Sequence, residues 1–169
     1  AITAALKKMQ GDSAYEAILI ADSGAAAVRI VPLIRANGGT DARILGTELW
    51  NTDSSLGSNA VMRGSWFASV SDGLYRQLAT KYRTRYGSAP FRLSSMGYDA
   101  VLLTLRVARD WKVGTPFPKS ELYDKGGFLG VDGAFRFTRN GVIERALEVR
   151  EVKGGEVTPV DPAPTGFGK

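Results

Sequence analysis

Serine–lysine pairs and paired carboxylates are the side chains left for catalytic chemistry in this 169-residue chain, since it contains neither histidine nor cysteine, and no spacing supports either arrangement. The absence of histidine and cysteine excludes cysteine nucleophiles, disulfides, Ser-His-Asp triads and nearly all zinc and iron sites. Two carboxylates can work as an acid and a base, but no spacing places Asp99 and Asp132 together. Asp132 lies in a Gly-Val-Asp-Gly stretch, and we expect it to bond backbone N–H groups in a turn. The sequence therefore predicts a protein that is not an enzyme.

Phosphate binding has little support, because Gly24, Gly38 and Gly39 form no GxGxxG element and no Walker-type loop is present. Ser23 and Gly24 stand at the start of a predicted helix, where backbone N–H groups can hold an anion. Simple capping of the helix by Ser23 is the favoured alternative. We predict no cofactor and no metal.

Large aromatic side chains next to loops are the other candidate binding groups, because aromatic walls are typical of ligand pockets. Trp50 follows Thr47 at the end of a predicted strand, and Tyr98 begins an apolar helix. For both residues, packing in the core is the alternative. Trp66 and Phe67 are adjacent on one predicted strand, so only one of them can face the core.

The net charge of +5 and the isoelectric point near 9.6 raise the question of nucleic-acid binding. The basic residues are scattered, apart from the cluster Lys81–Arg85 on a predicted amphipathic helix. We interpret this cluster as a solvated helix face and predict no nucleic-acid partner. No apolar run approaches the ~18 residues of a membrane-spanning helix, and no signal-peptide pattern opens the chain.

The first part of the chain predicts a βαβ unit. A helix over 1–9 exits through 10–13, and apolar runs at 15–21, 42–47 and 64–70 are predicted strands. A helix over 25–37 joins the first two strands, and Pro32 is expected to kink it or end its first segment.

The second part predicts two helices followed by a small antiparallel meander. The helices cover 72–86 and a stretch from Ser94 or Ser95 to about 110, and a short helix covers 120–123. The meander consists of a turn at 128–133, a strand at 134–138, an Asn140-Gly141 hairpin, a long strand at 142–153 and a last strand at 156–160.

These elements resemble, in their order and spacing, the type I periplasmic binding proteins of the branched-chain-amino-acid-receptor type. The resemblance rests on Tyr15–Gly38, Ile44–Thr47, Tyr86-Gly87-x-x-Pro90, Tyr98–Val101, Phe128–Phe137 and Asn140-Gly141. It implies an α/β fold with a three-layer αβα lobe, a parallel sheet and a small C-terminal antiparallel meander. The first lobe would be largely missing. The implied segments are a second-lobe βαβ region (1–71), helices returning to the first lobe (72–124), a meander finishing the second lobe (125–160) and a flexible tail (161–169).

Within that fold, the chain is most similar to bacterial penicillin-binding protein activators. The motifs are Leu45-Gly46-Thr47-x-Leu49-Trp50, Gly64-x-Trp66-Phe67-Ala68, Pro90-x-Arg92-Leu93-x-Ser95-x-x-Tyr98-Asp99-Ala100 and Asp161-Pro162-Ala163-Pro164. The resemblance implies a non-catalytic periplasmic module that contacts a peptidoglycan synthase. It also implies lipoprotein anchoring at the outer membrane through a missing N-terminus.

The chain departs from the amino-acid receptors at residues that would hold the ligand. Arg63 stands where those receptors place an acidic residue for the ligand ammonium, and it would favour an anion or carboxylate instead. The stacking aromatic expected within 22–25 is missing, while Tyr98 matches. The alternative function is therefore an ABC-transporter solute receptor that works with a permease. Ser23, Thr47, Trp50, Arg63 and Tyr98 would surround a small polar or anionic ligand.

The helices at 72–110 carry an apolar stripe that would need a covering partner if the first-lobe sheet is absent. We expect self-association, with a second copy of the chain covering Leu78, Tyr82, Val101 and Leu105.

Overall fold

The computed structural model describes residues 2–9 and 15–168, so the predicted helix exit at 10–13 lies outside the described residues. The chain divides into two compact units. The first unit comprises Ala1–Ser69 and Glu148–Asp161, and the second comprises Val70–Leu147 and Pro162–Lys169.

The helices and strands alternate in the first half of the chain, and strands dominate its end. In chain order they are α1 (Ile2–Met9), β1 (Ala17–Ile20), α2 (Gly24–Ala36), β2 (Arg43–Gly46), β3 (Trp66–Ser69), α3 (Gly73–Tyr86), α4 (Ser94–Ala108), β4 (Phe128–Gly130), β5 (Gly133–Phe137), β6 (Ile143–Arg145), β7 (Glu148–Lys153) and β8 (Glu156–Asp161). Short 3-10 turns lie at Glu48–Thr52, Leu56–Ser58, Ala60–Met62 and Lys119–Tyr123.

The first unit contains a five-stranded sheet in the order β1-β2-β3-β7-β8. β1, β2 and β3 are parallel, with Ile18 opposite Ile44 and Leu45 opposite Trp66. β7 is antiparallel to β3 and to β8. The parallel strands therefore end at one edge of the sheet, which is where open α/β sheets bind ligands.

Helix α2 crosses from β1 to β2 and continues through Pro32, so the helix does not end its first segment there, which was one of the two expected outcomes. Pro32 removes one backbone donor from the helix. On either side of it, Val31 and Ile34 are almost fully buried in the core. Their packing holds the two halves of the helix together.

The core of the first unit lies between the sheet and its helices. Its buried members are Leu6, Ile20, Ala27, Val31, Ile34, Ile44, Trp50, Leu56, Met62, Phe67 and Val152. Phe67 is 3% exposed whereas its neighbour Trp66 is half-buried. This confirms that only one of the two adjacent aromatic residues faces the core.

The second unit contains helices α3 and α4 and a three-stranded antiparallel sheet in the order β4-β5-β6. α3 ends as predicted at Gly87, whose φ of 77° is a left-handed value that glycine adopts without strain. The Asn140-Gly141 turn joins β5 to β6, with Gly141 at φ 83° and the Asn140 side chain accepting from the Val142 amide at 3.1 Å.

The C-terminal strands differ from the sequence expectation in two places. Phe128–Gly130, predicted as a turn, is β4 and pairs with β5. The predicted long strand at 142–153 is two strands, because Ile143–Arg145 pairs with β5 whereas Glu148–Lys153 pairs with β3 and β8. Of the expected meander, β4–β6 therefore belong to the second unit, and β7 and β8 complete the sheet of the first.

The α/β class, with a mostly parallel sheet and a small antiparallel sheet, is confirmed. The assignment of the four segments to lobes of a longer protein stays a prediction. In the tail, the Phe167 amide donates to the Gly126 carbonyl at 3.5 Å and Arg136 lies over the Phe167 ring.

Candidate functional site

Three of the five predicted site residues, Ser23, Thr47 and Trp50, follow parallel strands at the same edge of the first unit's sheet. Ser23 comes three residues after β1, and Thr47 comes directly after β2. Since β1 and β2 are paired in parallel, their carboxyl ends are neighbours. This carboxyl edge is the candidate ligand site of the first unit.

Ser23 caps helix α2. Its Oγ accepts from the Ala26 amide at 3.2 Å, and its own amide donates to the Asp22 carboxylate at 2.6 Å. A Cβ built on Gly24 would stand 2.9 Å from Oδ2 of Asp53. The first turn of the helix therefore already has carboxylates beside it, and these disfavour a further anion there.

Trp50 is fully buried, at 0% exposure, and does not form an open cleft wall. Its Nε1 donates to the Asp22 carbonyl at 2.9 Å, and its ring centroid lies 5.9 Å from that of Phe67. The indole occupies the space that any side chain at Gly46 would need. Trp50 thus joins the ends of β1 and β2 from within the core.

Thr47 is the residue at this edge with unused hydrogen-bonding capacity. Its Oγ1 is buried and has no hydrogen-bond partner among the described residues. A buried hydroxyl is normally paired, so this oxygen would be satisfied by a water molecule or a ligand group that enters beside it.

Arg63 lies at the opposite edge of the sheet. It precedes β3, which runs parallel to β2, so it stands near the strand's amino end. Its exposed guanidinium approaches the turn between β7 and β8, where a Cβ on Gly154 would stand 2.9 Å from Nη2 of Arg63. The structure therefore does not bring Arg63 together with Ser23 and Thr47.

Tyr98 belongs to the second unit and is 47% exposed. It borders an open groove of about 250 Å³ between α3, α4 and β4. The groove is mainly apolar, with Leu74, Leu78, Leu102, Leu129 and Val131 around it, and Gln77 and Lys81 supply polar groups.

The first unit contains a buried polar cluster that the sequence did not predict. Arg150 donates to Glu148 at 2.6 Å and to the Asn51 amide oxygen at 2.8 Å, and the side chains of Glu148 and Arg150 are only 8% and 10% exposed. The signal was the alternation in β7, where Glu148 and Arg150 share a face with the buried Val152. This ion pair is satisfied within the chain.

A second missed cluster explains the Pro90–Ala100 motif. Arg92 donates to Asp132 at 2.5 Å, Ser95 donates to the other Asp132 oxygen at 2.6 Å, and the Arg92 guanidinium lies 3.9 Å from the Tyr75 ring centroid. Asp132 was expected to bond backbone N–H groups, but these observed partners are side chains. The cluster fastens the start of α4 to the β4–β5 turn.

Asp99 lies one helical turn after Ser95, and its carboxyl group is buried beside the turn between β4 and β5. Oδ1 accepts from the Val131 amide at 2.7 Å, while Oδ2 is buried without a described partner. Desolvation raises the pKa of Asp99, and the nearby Asp132 charge raises it further, against the lowering effect of the Val131 bond. The absence of a side chain at Gly130 leaves room for this carboxyl group.

No group of three potential His, Cys, Asp or Glu metal ligands occurs in the part of the chain that the structure describes. Over the same residues, no helix has both the length and the apolar character required to span a membrane.

The solved structures that share this fold include transport proteins and a regulatory protein. A branched-chain amino acid ABC transporter protein from Rhodospirillum rubrum is 22% identical, with a TM-score of 0.75, and the match covers 95% of this chain and 48% of that one. The leucine-binding protein LivK from Thermotoga maritima is 22% identical, with a TM-score of 0.61, and the coverages are 96% and 48%.

The C-domain of LpoA from Haemophilus influenzae, described as a regulator of PBP1A, is 20% identical with a TM-score of 0.61. The match covers 94% of this chain and 49% of that domain. The chain thus spans about half the length of these three structures. No protein-family model and no curated protein matches the sequence. The predicted type I periplasmic-binding-protein-like fold is confirmed. The transport proteins and the LpoA regulator share it.

Proposed function

We propose that this chain is a non-catalytic module of the bacterial cell envelope that regulates peptidoglycan synthesis by contacting a synthase. The structural likeness to LpoA, a regulator of PBP1A, supports this function. On this proposal the module works in the periplasm, held at the outer membrane by a lipid-modified N-terminal segment of a longer protein.

This proposal rests on the observation that two candidate ligand groups at the carboxyl edge, those of Ser23 and Trp50, already make hydrogen bonds within the fold. The Ser23 hydroxyl caps α2, and the Trp50 indole is buried and bonded to the Asp22 carbonyl. The Arg63 guanidinium, the cation expected to attract an anionic solute, lies near the other edge. A receptor needs free and convergent polar groups in its site, whereas the Ser23 and Trp50 groups are already bonded and Arg63 lies apart from them.

The test is a binding titration of the chain against a PBP1A-type synthase from the same organism. We expect saturable binding that Thr47→Val leaves unchanged, because a protein contact does not need the buried Oγ1. The proposal fails if the chain does not bind the synthase, or if Thr47→Val abolishes binding while the variant keeps its thermal midpoint.

A second candidate function is a solute receptor of an ABC transporter, and the Thr47 hydroxyl is the observation that favours it. This buried oxygen, which has no partner in the part of the chain that the structure describes, stands at the sheet edge where α/β folds bind ligands. The likeness to the Rhodospirillum rubrum protein and LivK supports the same candidate. The ligand would be a small polar molecule that bonds to Oγ1, and an ABC permease would be the partner.

A further inference from the structure

A polar cavity of about 420 Å³ opens in the second unit, where α4 ends and the chain turns towards β4. Two apolar side chains, Val107 and Phe128, are each 6% exposed and line it. Its volume falls within the range of about 300–1,000 Å³ that is typical of small-ligand sites. None of the five predicted site residues lines it.

Trp111 provides the cavity with an aromatic wall that the fold holds in place. Its Nε1 donates to the Thr115 carbonyl at 3.0 Å, and its ring meets Phe117 edge-on at a centroid distance of 5.5 Å. With both contacts made, the side chain is still 41% exposed. A large apolar ring surface is therefore presented in one fixed orientation.

The loop that carries Trp111 is braced by local bonds. The Thr115 hydroxyl donates to the Lys112 carbonyl at 2.7 Å, and the Glu121 amide donates to the Pro118 carbonyl at 3.0 Å. Pro116 and Pro118 restrict the backbone further. A preformed site loses less conformational entropy when it binds a ligand.

Charged side chains of both signs surround the opening and balance one another. The cations are Arg106, Arg109 and Lys112, and the carboxylates are Asp110, Glu121 and Asp124. They are exposed, with side-chain exposures of 46% at Asp124 and 83% at Asp110. Three cations stand against three carboxylates, so these side chains carry no net charge and the rim selects neither a polyanion nor a singly charged ligand.

We propose that this cavity binds a short neutral glycan. A pyranose ring has an apolar face of C–H groups, which can pack on the Trp111 indole. It also has a rim of neighbouring hydroxyls that can bond in pairs to carboxylate and guanidinium groups. Asp124 is placed for this role, because its Oδ1 accepts from the Gly126 amide and its Oδ2 lies 3.5 Å from Arg106. The inference does not depend on the proposed function.

The experiment is a chemical-shift titration of the full chain with two trisaccharides. Chitotriose carries acetamido groups and cellotriose carries only hydroxyls. We expect saturable shifts at the amides of residues 106–128, with a dissociation constant on the order of 1 mM. Binding of both sugars identifies hydroxyl recognition, and binding of chitotriose alone identifies acetamido recognition. Either result supports the site.

Trp111→Ala should weaken binding by about tenfold or more, and Asp124→Asn should weaken it less. Phe91→Ala is the matched control, because Phe91 is 91% exposed and does not line the cavity. Thermal midpoints of all variants check folding. The inference is overturned if neither sugar shifts these amides, if free amino acids shift them equally, or if a folded Trp111→Ala variant binds as well as the parent chain.

Discussion

The indole Nε1 of Trp50 donates to the main-chain carbonyl of Asp22 across 2.9 Å, tying the turn after β2 to the turn after β1. The residue with the most apolar surface at the carboxyl edge is thereby part of the core. The same bond fixes the backbone next to Ser23, the cap of α2.

Replacing Trp50 with alanine should therefore lower stability strongly. The change removes a fully buried indole that packs on Phe67 and over Gly46, and large-to-small core changes of this kind cost about 3–5 kcal/mol. Urea unfolding followed by circular dichroism measures the loss. Trp111→Ala, at a half-exposed indole, is the control and should cost much less. Equal losses for the two variants would contradict the core role of Trp50.

The Asp132 carboxylate should stabilise the second unit through Arg92 and Ser95 together. Asp132→Asn should cost about 1–3 kcal/mol, because the Asp132 side chain is 7% exposed and the change disturbs its bonds to both partners. A double-mutant cycle with Ser95→Ala should give a coupling energy above about 0.5 kcal/mol. Glu144→Gln breaks the more exposed pair with Arg136 and is the control. Additive effects of the Asp132 and Ser95 changes would count against the cluster.

Asp99 should make stability depend on pH. Its native pKa is raised above the ordinary 3.8 by burial, so the native state holds this proton more tightly than the unfolded state does. The ionised carboxyl group therefore costs stability, and this cost appears as the pH rises through the native pKa. The groups facing it are Asp132, which raises the pKa, and Arg145, which lowers it.

Asp99→Asn keeps an oxygen for the Val131 amide and carries no charge. The free energy of unfolding of this variant, relative to that of the parent chain, should rise from about pH 4 to about pH 7. Urea midpoints of both proteins at the two pH values measure this difference. Asp110→Asn, at a side chain 83% exposed, is the control variant. A relative stability that stays constant or falls with pH would show that Asp99 is not the group responsible.

The outer face of α4 should drive self-association. Met96, Val101 and Leu105 are 52%, 60% and 62% exposed, and no charged side chain other than the buried Asp99 occurs between Ser94 and Leu105. Sedimentation of the chain at micromolar concentration should show a dimer or larger species. Leu105→Lys should shift it towards monomer, whereas Val113→Lys, at a fully exposed loop residue, should not. A folded monomeric parent chain would contradict this prediction.

The sequence predicted element types well where local signals were strong. The Gly87 stop, the Asn140-Gly141 turn and the βαβ unit are all present. It failed where pairing between distant segments decides the outcome. Nothing local marks Ala146–Leu147 as the place where the chain changes sheets, and Pro32 is tolerated because Val31 and Ile34 pack on the core.

The candidate site was harder to predict, because residue type and strand position do not specify which contacts a side chain makes. Trp50 stands at a strand end, as a ligand-stacking residue would, yet the empty space at Gly46 admits its ring into the core. Arg63 could be assigned to a cleft only by analogy with receptors, and the parallel register of β2 and β3 places it near the other edge. The Arg92–Asp132 contact joins residues whose relation no periodicity reveals.

The most direct test of the account is a thermal-shift screen of the chain against amino acids, small carboxylates and other small polar solutes. A solute that binds the native state at 100 times its dissociation constant would add about 2.7 kcal/mol of stability. We predict no change in the midpoint for any of these solutes, because the Ser23 hydroxyl and the Trp50 indole are engaged within the fold and the Arg63 guanidinium lies near the other edge of the sheet. A saturable rise with one solute class, lost in a folded Thr47→Val variant, would contradict the account and establish a solute receptor.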